Sequence, residues 1–188
     1  MKHIIFIIMI YSIFSLNADD GISVNNLGFS AGELSQNGIA FRHWSPDWGY
    51  QVTGMILSSK DDIPDSYDYR VGTYPNYDYF AYGREFKTNF GFSIMKPLQY
   101  VENRRFYVFA GYGFYHKEQK RWQSNDMDMD DAWEVGYKVT NTHFWGLGAG
   151  FDLEIGEFMR AYIEIPLTFK SNNEITMYIP QIGFFYRF

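Results

Sequence analysis

The sequence predicts an all-β fold, an eight-stranded antiparallel up-and-down transmembrane β-barrel, on three observations. Apolar residues alternate with small or polar ones in long stretches. Beyond the first twenty residues nothing approaches the roughly 20 apolar residues that a membrane-crossing helix needs. The chain also closes on an alternating aromatic series ending at Phe188. Of the 188 residues, 21% are aromatic and none is cysteine. The missing thiols exclude a disulfide framework, a thiolate metal site and a cysteine nucleophile. A net charge of −6 argues against a nucleic-acid partner, which needs a basic face to displace counterions. The length suits one domain, and no cofactor is implied.

Lys2 supplies a short basic start, residues 4–14 are apolar apart from Tyr11 and Ser12, and Ser15-Leu16-Asn17-Ala18 precedes two aspartates. Too short to cross a bilayer as a helix, this run reads as a secretory signal peptide over 1–18, with the barrel over 19–188. Strands are then expected near 22–34, 37–45, 49–58, 80–96, 104–117, 141–155, 159–171 and 174–188. The first has the weakest pattern, because Asn25, Asn26 and Gly28 dilute it. The fourth is explicit: Phe86, Phe90, Phe92 and Ile94 alternate with Lys87, Asn89, Gly91 and Ser93, the period of two that gives a strand two unlike faces. Trp145, Leu147, Ala149 and Phe151 set against Gly146, Gly148, Gly150 and Asp152 repeat it, as do Ile163, Ile165 and Leu167 against Tyr162, Glu164 and Pro166.

Connections at 45–49, 97–103 and 156–158 are short, while 59–79 and 118–140 are long and fall at the opposite end. Short periplasmic turns and long outer loops are the asymmetry of bacterial outer-membrane barrels. Alternation alone leaves open which face is outside. The polar face is largely Gly, Ser, Thr and Asn, groups that fit a narrow barrel interior, so the aromatics are assigned to lipid.

The terminal series Ile182, Phe184, Tyr186, Phe188 resembles the closing strand of small eight-stranded outer-membrane barrels of the outer membrane protein A/X type. That resemblance implies a location in the bacterial outer membrane, partners among its lipids and lipopolysaccharide, and a monomer. It also implies that Phe184, Tyr186 and Phe188 form a signal read by the insertion machinery.

Inside, a three-residue turn at 156–158 sets Glu154 opposite Arg160, Asp152 opposite Tyr162 and Gly150 opposite Glu164. A two-residue turn at Asn172-Asn173 would pair 171 with 174, setting Ile165 opposite Pro180 and Pro166 opposite Ile179, two missing donors at one height. Asp152, Glu154, Arg160 and Arg187 are expected to form an interior ion cluster near the periplasmic end, with Glu85, Lys87 and Glu164 higher up. Such a cluster is expected to plug the barrel rather than conduct, since a filled barrel has no continuous water path.

No catalytic residue is assigned, but Arg42-His43-Trp44-Ser45 offers candidates: His43 and Ser45 are two apart on a strand and point the same way. The pattern resembles the Arg-His-x-Ser of outer-membrane lipid A deacylases, which add a separate Glu. Here no orienting acid is identifiable, and Ser45 abuts a periplasmic turn far from outer-leaflet lipid A. An interfacial His and a turn-initiating Ser are preferred. Asp126, Asp128 and Asp130 are spaced like the start of a calcium loop, yet Asp131 stands where that loop requires Gly, so no metal is assigned. The expected function is therefore a structural, adhesive or surface-interaction role through 59–79 and 118–140, with a lipid-modifying enzyme as the alternative.

Overall fold

The computed structural model describes residues 24–59, 69–73, 76–101, 103–124, 133–177 and 179–188; the expected signal peptide and Asp126, Asp128 and Asp130 lie outside them. The described residues form ten strands: β1 (Val24–Ala31), β2 (Gly38–Trp44), β3 (Gly49–Ser58), β4 (Tyr69–Thr73), β5 (Asn76–Val101), β6 (Arg104–Ser124), β7 (Trp133–Ile155), β8 (Met159–Lys170), β9 (Ile175–Met177) and β10 (Gln181–Arg187). β1, β2, β3, β5, β6, β7, β8 and β10 pair in turn, and β10 returns to β1, so hydrogen bonds run antiparallel around a closed ring of eight. Closure leaves no unpaired edge within the ring, the condition that any sheet immersed in hydrocarbon must meet.

The period of two sorts the side chains. On β5, Asn89, Gly91, Ser93 and Met95 are buried inside while Phe90, Phe92 and Ile94 are exposed outside; on β8, Arg160, Tyr162, Glu164 and Thr168 face in and Met159, Ile163, Ile165 and Phe169 face out. With Leu147 59% and Phe184 55% exposed, the wall is apolar outward, the reverse of a water-soluble barrel. The core is the lumen, where Val24, Leu34, Trp44, Met95, Tyr107, Phe109 and Phe144 pack together.

The register at 156–158 is the expected one, with Gly150↔Glu164, Asp152↔Tyr162 and Glu154↔Arg160. Three features differ. Most of 118–140, and part of 59–79, is strand: β5–β6 pairing climbs to Tyr79↔Ser124, β6–β7 to Gln123↔Trp133, and β4 lies along β5 from Tyr69↔Phe80 to Thr73↔Asn76. Apolar alternation ends where the greasy band ends, whereas ladder hydrogen bonds continue as long as each strand has a partner. At Lys117-Glu118-Gln119-Lys120 both faces are polar, so the pattern disappears although the strand does not. Second, the 171–173 turn has three residues. The Lys170 amide bonds to Glu174 O and Asn173 carries φ 64°, so Phe169 pairs with Ile175. A shift of one residue before β10 restores Gln181↔Glu164, and neither Ile179 nor Pro180 is in a strand, so the two prolines do not face each other in a continuous ladder. Third, β1 ends at Ala31, and residues 32–37 turn inward instead of prolonging it.

Candidate functional site

Arg42 projects inward from β2 between Ala40 and Trp44 and organises the lower lumen. Its Nη2 donates to Glu164 Oε1 (2.7 Å), Nε to Gln51 Oε1 (2.7 Å) and Nη1 to the Tyr107 hydroxyl (2.9 Å), which itself donates to Glu164 Oε1 (2.8 Å). The guanidinium carbon lies 3.7 Å from the Tyr162 ring centre. Asp152 stands 3.8 Å from both Arg42 and Arg160 and accepts the indole N–H of Trp44 at 3.1 Å. Glu154 bridges Arg160 and, at 3.6 Å, Arg187. Arg42 and Glu164 are each only 1% exposed, so their charges depend on one another and on these hydrogen bonds rather than on water. The structure thus brings Asp152, Glu154, Arg160 and Arg187 together. It places Glu164 with Arg42 in that same network, and not with Glu85 and Lys87.

Glu85 and Lys87 stand on the part of β5 that rises above the apolar band. There Glu85 pairs with Lys87 and, at 2.5 Å, with Lys117 of β6. Burial alone would push the Glu85 carboxyl up, but hydrogen bonds from Lys117 and Lys87 outweigh it and hold the group below the usual carboxylate range. Lys120 and Glu134 pair at 3.2 Å, joining β6 to β7. Tyr137 and Val139 of upper β7 are exposed, and Arg84, Phe86, Glu118 and Tyr137 line a shallow pocket on this sheet. Of the tyrosines between 59 and 79, Tyr69, Tyr77 and Tyr79 fall on β4 and β5, while Tyr67 and Tyr74 lie outside the described residues.

Above the ion network the lumen is filled by the middle of the 32–37 connection. Leu34, Ser35 and Gln36 are 1%, 5% and 4% exposed. Gln36 adopts φ 61°, the Ser35 N–H donates to Gln181 Oε1 (2.5 Å), and Glu33 meets Lys170 at 2.5 Å. The seat is made of small residues. A Cβ at Gly113 would fall 2.8 Å from Leu34 O, and one at Gly146 would fall 2.8 Å from Leu34 Cδ2, so a larger side chain at either place evicts the loop.

His43 lies on the opposite, outward side of β2, sharing parity with Ile39 and Phe41. Its Nδ1 faces Asn25 Oδ1 at 2.8 Å and its Nε2 faces Ser45 Oγ at 3.0 Å. Tyr50 and Trp48 stack on each other at 5.7 Å and flank the imidazole at 5.3 and 6.0 Å. Sequence reasoning missed Asn25 because it sought an acid; the β1–β2 register, which sets Asn25 opposite His43, was the available signal. It also left Arg42 inside a catalytic pattern, although inward parity on the same strand marked it for the lumen.

At the closing seam Phe184 and Tyr186 are exposed on the outer wall, Tyr186 stacks on Phe158, and the Phe188 N–H donates to Asn25 O at 3.0 Å. Among the described residues no group of His, Asp and Glu is arranged to hold a metal ion.

No protein-family model and no curated protein matches the chain. Among solved structures it is similar to Ail, the attachment invasion locus protein of Yersinia pestis, with 11% identity over 90% of this chain and 100% of that chain and a TM-score of 0.43. The architecture is assigned from the strand pairing of this chain itself: the protein is an eight-stranded antiparallel β-barrel with an apolar outer wall.

Proposed function

We propose that the protein is an integral barrel of the bacterial outer membrane, closed to solutes, whose tall β5–β6–β7 sheet and adjoining loops form a surface for interaction outside the cell. The observation that carries this reading is the pairing of an apolar outer wall with a buried, charged lumen, an arrangement that is costly in water and favourable in lipid. Lumen filling by Arg42, Glu164, Tyr107 and residues 32–37 supports a sealed barrel over a pore. In this reading the short turns face the periplasm, lipids and lipopolysaccharide surround the wall, the chain acts as a monomer, and the insertion machinery reads Phe184, Tyr186 and Phe188. Fractionation tests it. Recovery in membranes that only detergent dissolves is expected, with protease cutting within 125–132 on intact cells; recovery in the soluble periplasm overturns it.

A further inference from the structure

Polar side chains on a lipid-facing wall need a reason, and Asn25, His43 and Ser45 form one connected line on it. The side-chain Oδ1 of Asn25 faces Nδ1 and, as an acceptor, favours the tautomer that carries its proton there. Nε2 is left with its lone pair toward the Ser45 hydroxyl. A nucleophile in reach of a base, and the base oriented by a third group, is the arrangement that activates serine. An amide oxygen serves as the orienting group because its task is to fix tautomer and ring position. His43 and Ser45 are half-buried rather than enclosed, and Trp48, 47% exposed, and Tyr50 surround them with aromatic surface suited to the lipid–water boundary. Lys96 Nζ, on the outer face of β5, donates to Asp47 O at 2.9 Å, which sets a cation on the turn that begins at Ser45.

We infer that Asn25, His43 and Ser45 form an acyl-ester hydrolase site opening sideways into the membrane, and that its substrate is a glycerophospholipid of the periplasmic leaflet. The inference rests on the membrane reading above, which puts the short 45–48 turn at the periplasmic side; lipid A occupies the opposite leaflet. Ser45 Oγ attacks the ester carbonyl carbon as its proton passes to His43 Nε2. The carbon–oxygen bond to glycerol then breaks and the departing alkoxide takes that proton, leaving acyl-Ser45 and a lysophospholipid. Water, deprotonated by His43 Nε2, attacks the acyl carbon. The bond to Ser45 Oγ breaks, the proton returns to Oγ, and a fatty acid leaves. Lys96 is placed to hold the lipid phosphate. Ser45 and His43 are the catalytic residues and Asn25 is a positioning residue.

The test uses the full chain folded in detergent, checked by its heat-dependent gel mobility, with phosphatidylethanolamine and, separately, lipid A in mixed micelles. Fatty-acid release from phosphatidylethanolamine is expected, falling at least about 1,000-fold in Ser45→Ala and His43→Ala. A fluorophosphonate should label Ser45 in the parent and not in His43→Ala. Asn25→Ala should lower kcat with KM unchanged, and Asn25→Asp should restore most of it. A folded parent that releases no more acid than Ser45→Ala overturns the hydrolase and leaves the membrane reading standing. Release from lipid A alone overturns the substrate assigned.

Discussion

Glu164 shows what a single carboxylate costs when it is enclosed. Its partners Arg42 and Tyr107 are as buried as it is, so Glu164→Ala takes the hydrogen-bonded counter-charge from a guanidinium that water does not reach and leaves it only Asp152, 3.8 Å away and shared with Arg160. Removing one member of such a pair costs roughly 3 to 5 kcal/mol, whereas replacing both with apolar groups of similar volume is close to neutral. Urea unfolding in detergent should therefore place Glu164→Ala far below the parent and the double variant Arg42→Met, Glu164→Leu near it. Glu118→Ala, at a half-exposed site on the upper sheet, should stay within about 0.5 kcal/mol. Equal midpoints for Glu164→Ala and Glu118→Ala would remove the argument for a coupled network. Inward parity made the lumenal position of Asp152, Glu154, Arg160, Arg187 and Glu164 legible in the sequence, but not that Glu164 meets Arg42 in place of Glu85 and Lys87. Arg42 has the same parity on its own strand, but its neighbours His43 and Ser45 drew attention to chemistry on the other face.

At the scale of elements, β5, β6 and β7 stand above the greasy band on polar contacts, and the Glu85 cluster is one that joins β5 to β6. A carboxyl held below its usual range contributes stability that is complete above the unfolded value, about 4.3, and is lost as pH falls through the lower, folded value. Amide protection around Glu85 and Lys117 should accordingly persist at pH 6 and decline on acidification below about pH 4. Glu85→Gln should remove that part of the pH dependence; an unchanged acid transition in this variant would assign the upper sheet's stability to its ladder alone. The strands of the apolar band were readable because one face is apolar throughout. Their upward continuations were not, since in water either face tolerates polar groups and hydrogen bonding to a neighbour is sufficient. The three-residue turn before β9 escaped for a related reason: Asn172 and Asn173 both accept positive φ, so composition alone does not choose the turn length.

For the whole molecule, the decisive property is which face meets the solvent. Leu147→Arg puts a charge near the middle of the apolar band, at a cost of roughly 2 to 4 kcal/mol, and should sharply reduce the folded fraction in vesicles. Asn89→Ser, inside the lumen, should fold like the parent; the opposite ranking would turn the barrel inside out. Deleting Phe188 removes one backbone donor at the seam and one interfacial aromatic, a small equilibrium loss. Its effect should be kinetic, with poor insertion in cells and near-normal folding into detergent. Insertion in cells at the parent's level would leave Phe188 as the last residue of a seam and no more.

The seated segment 32–37 carries a consequence for protein engineering. An outer hairpin connection is ordinarily where a chain accepts inserted peptides and where surface sequence drifts. Here that connection is a hairpin loop by topology and core by burial, with Leu34 1% exposed. An epitope tag grafted between Gly32 and Asn37 would unseat Leu34 and Gln36 and break the Ser35–Gln181 contact across the closing seam. The exposed turn at 171–174 imposes no such condition, so inserted tags belong there, and substitutions at 34–36 should be judged by the rules of a packed core.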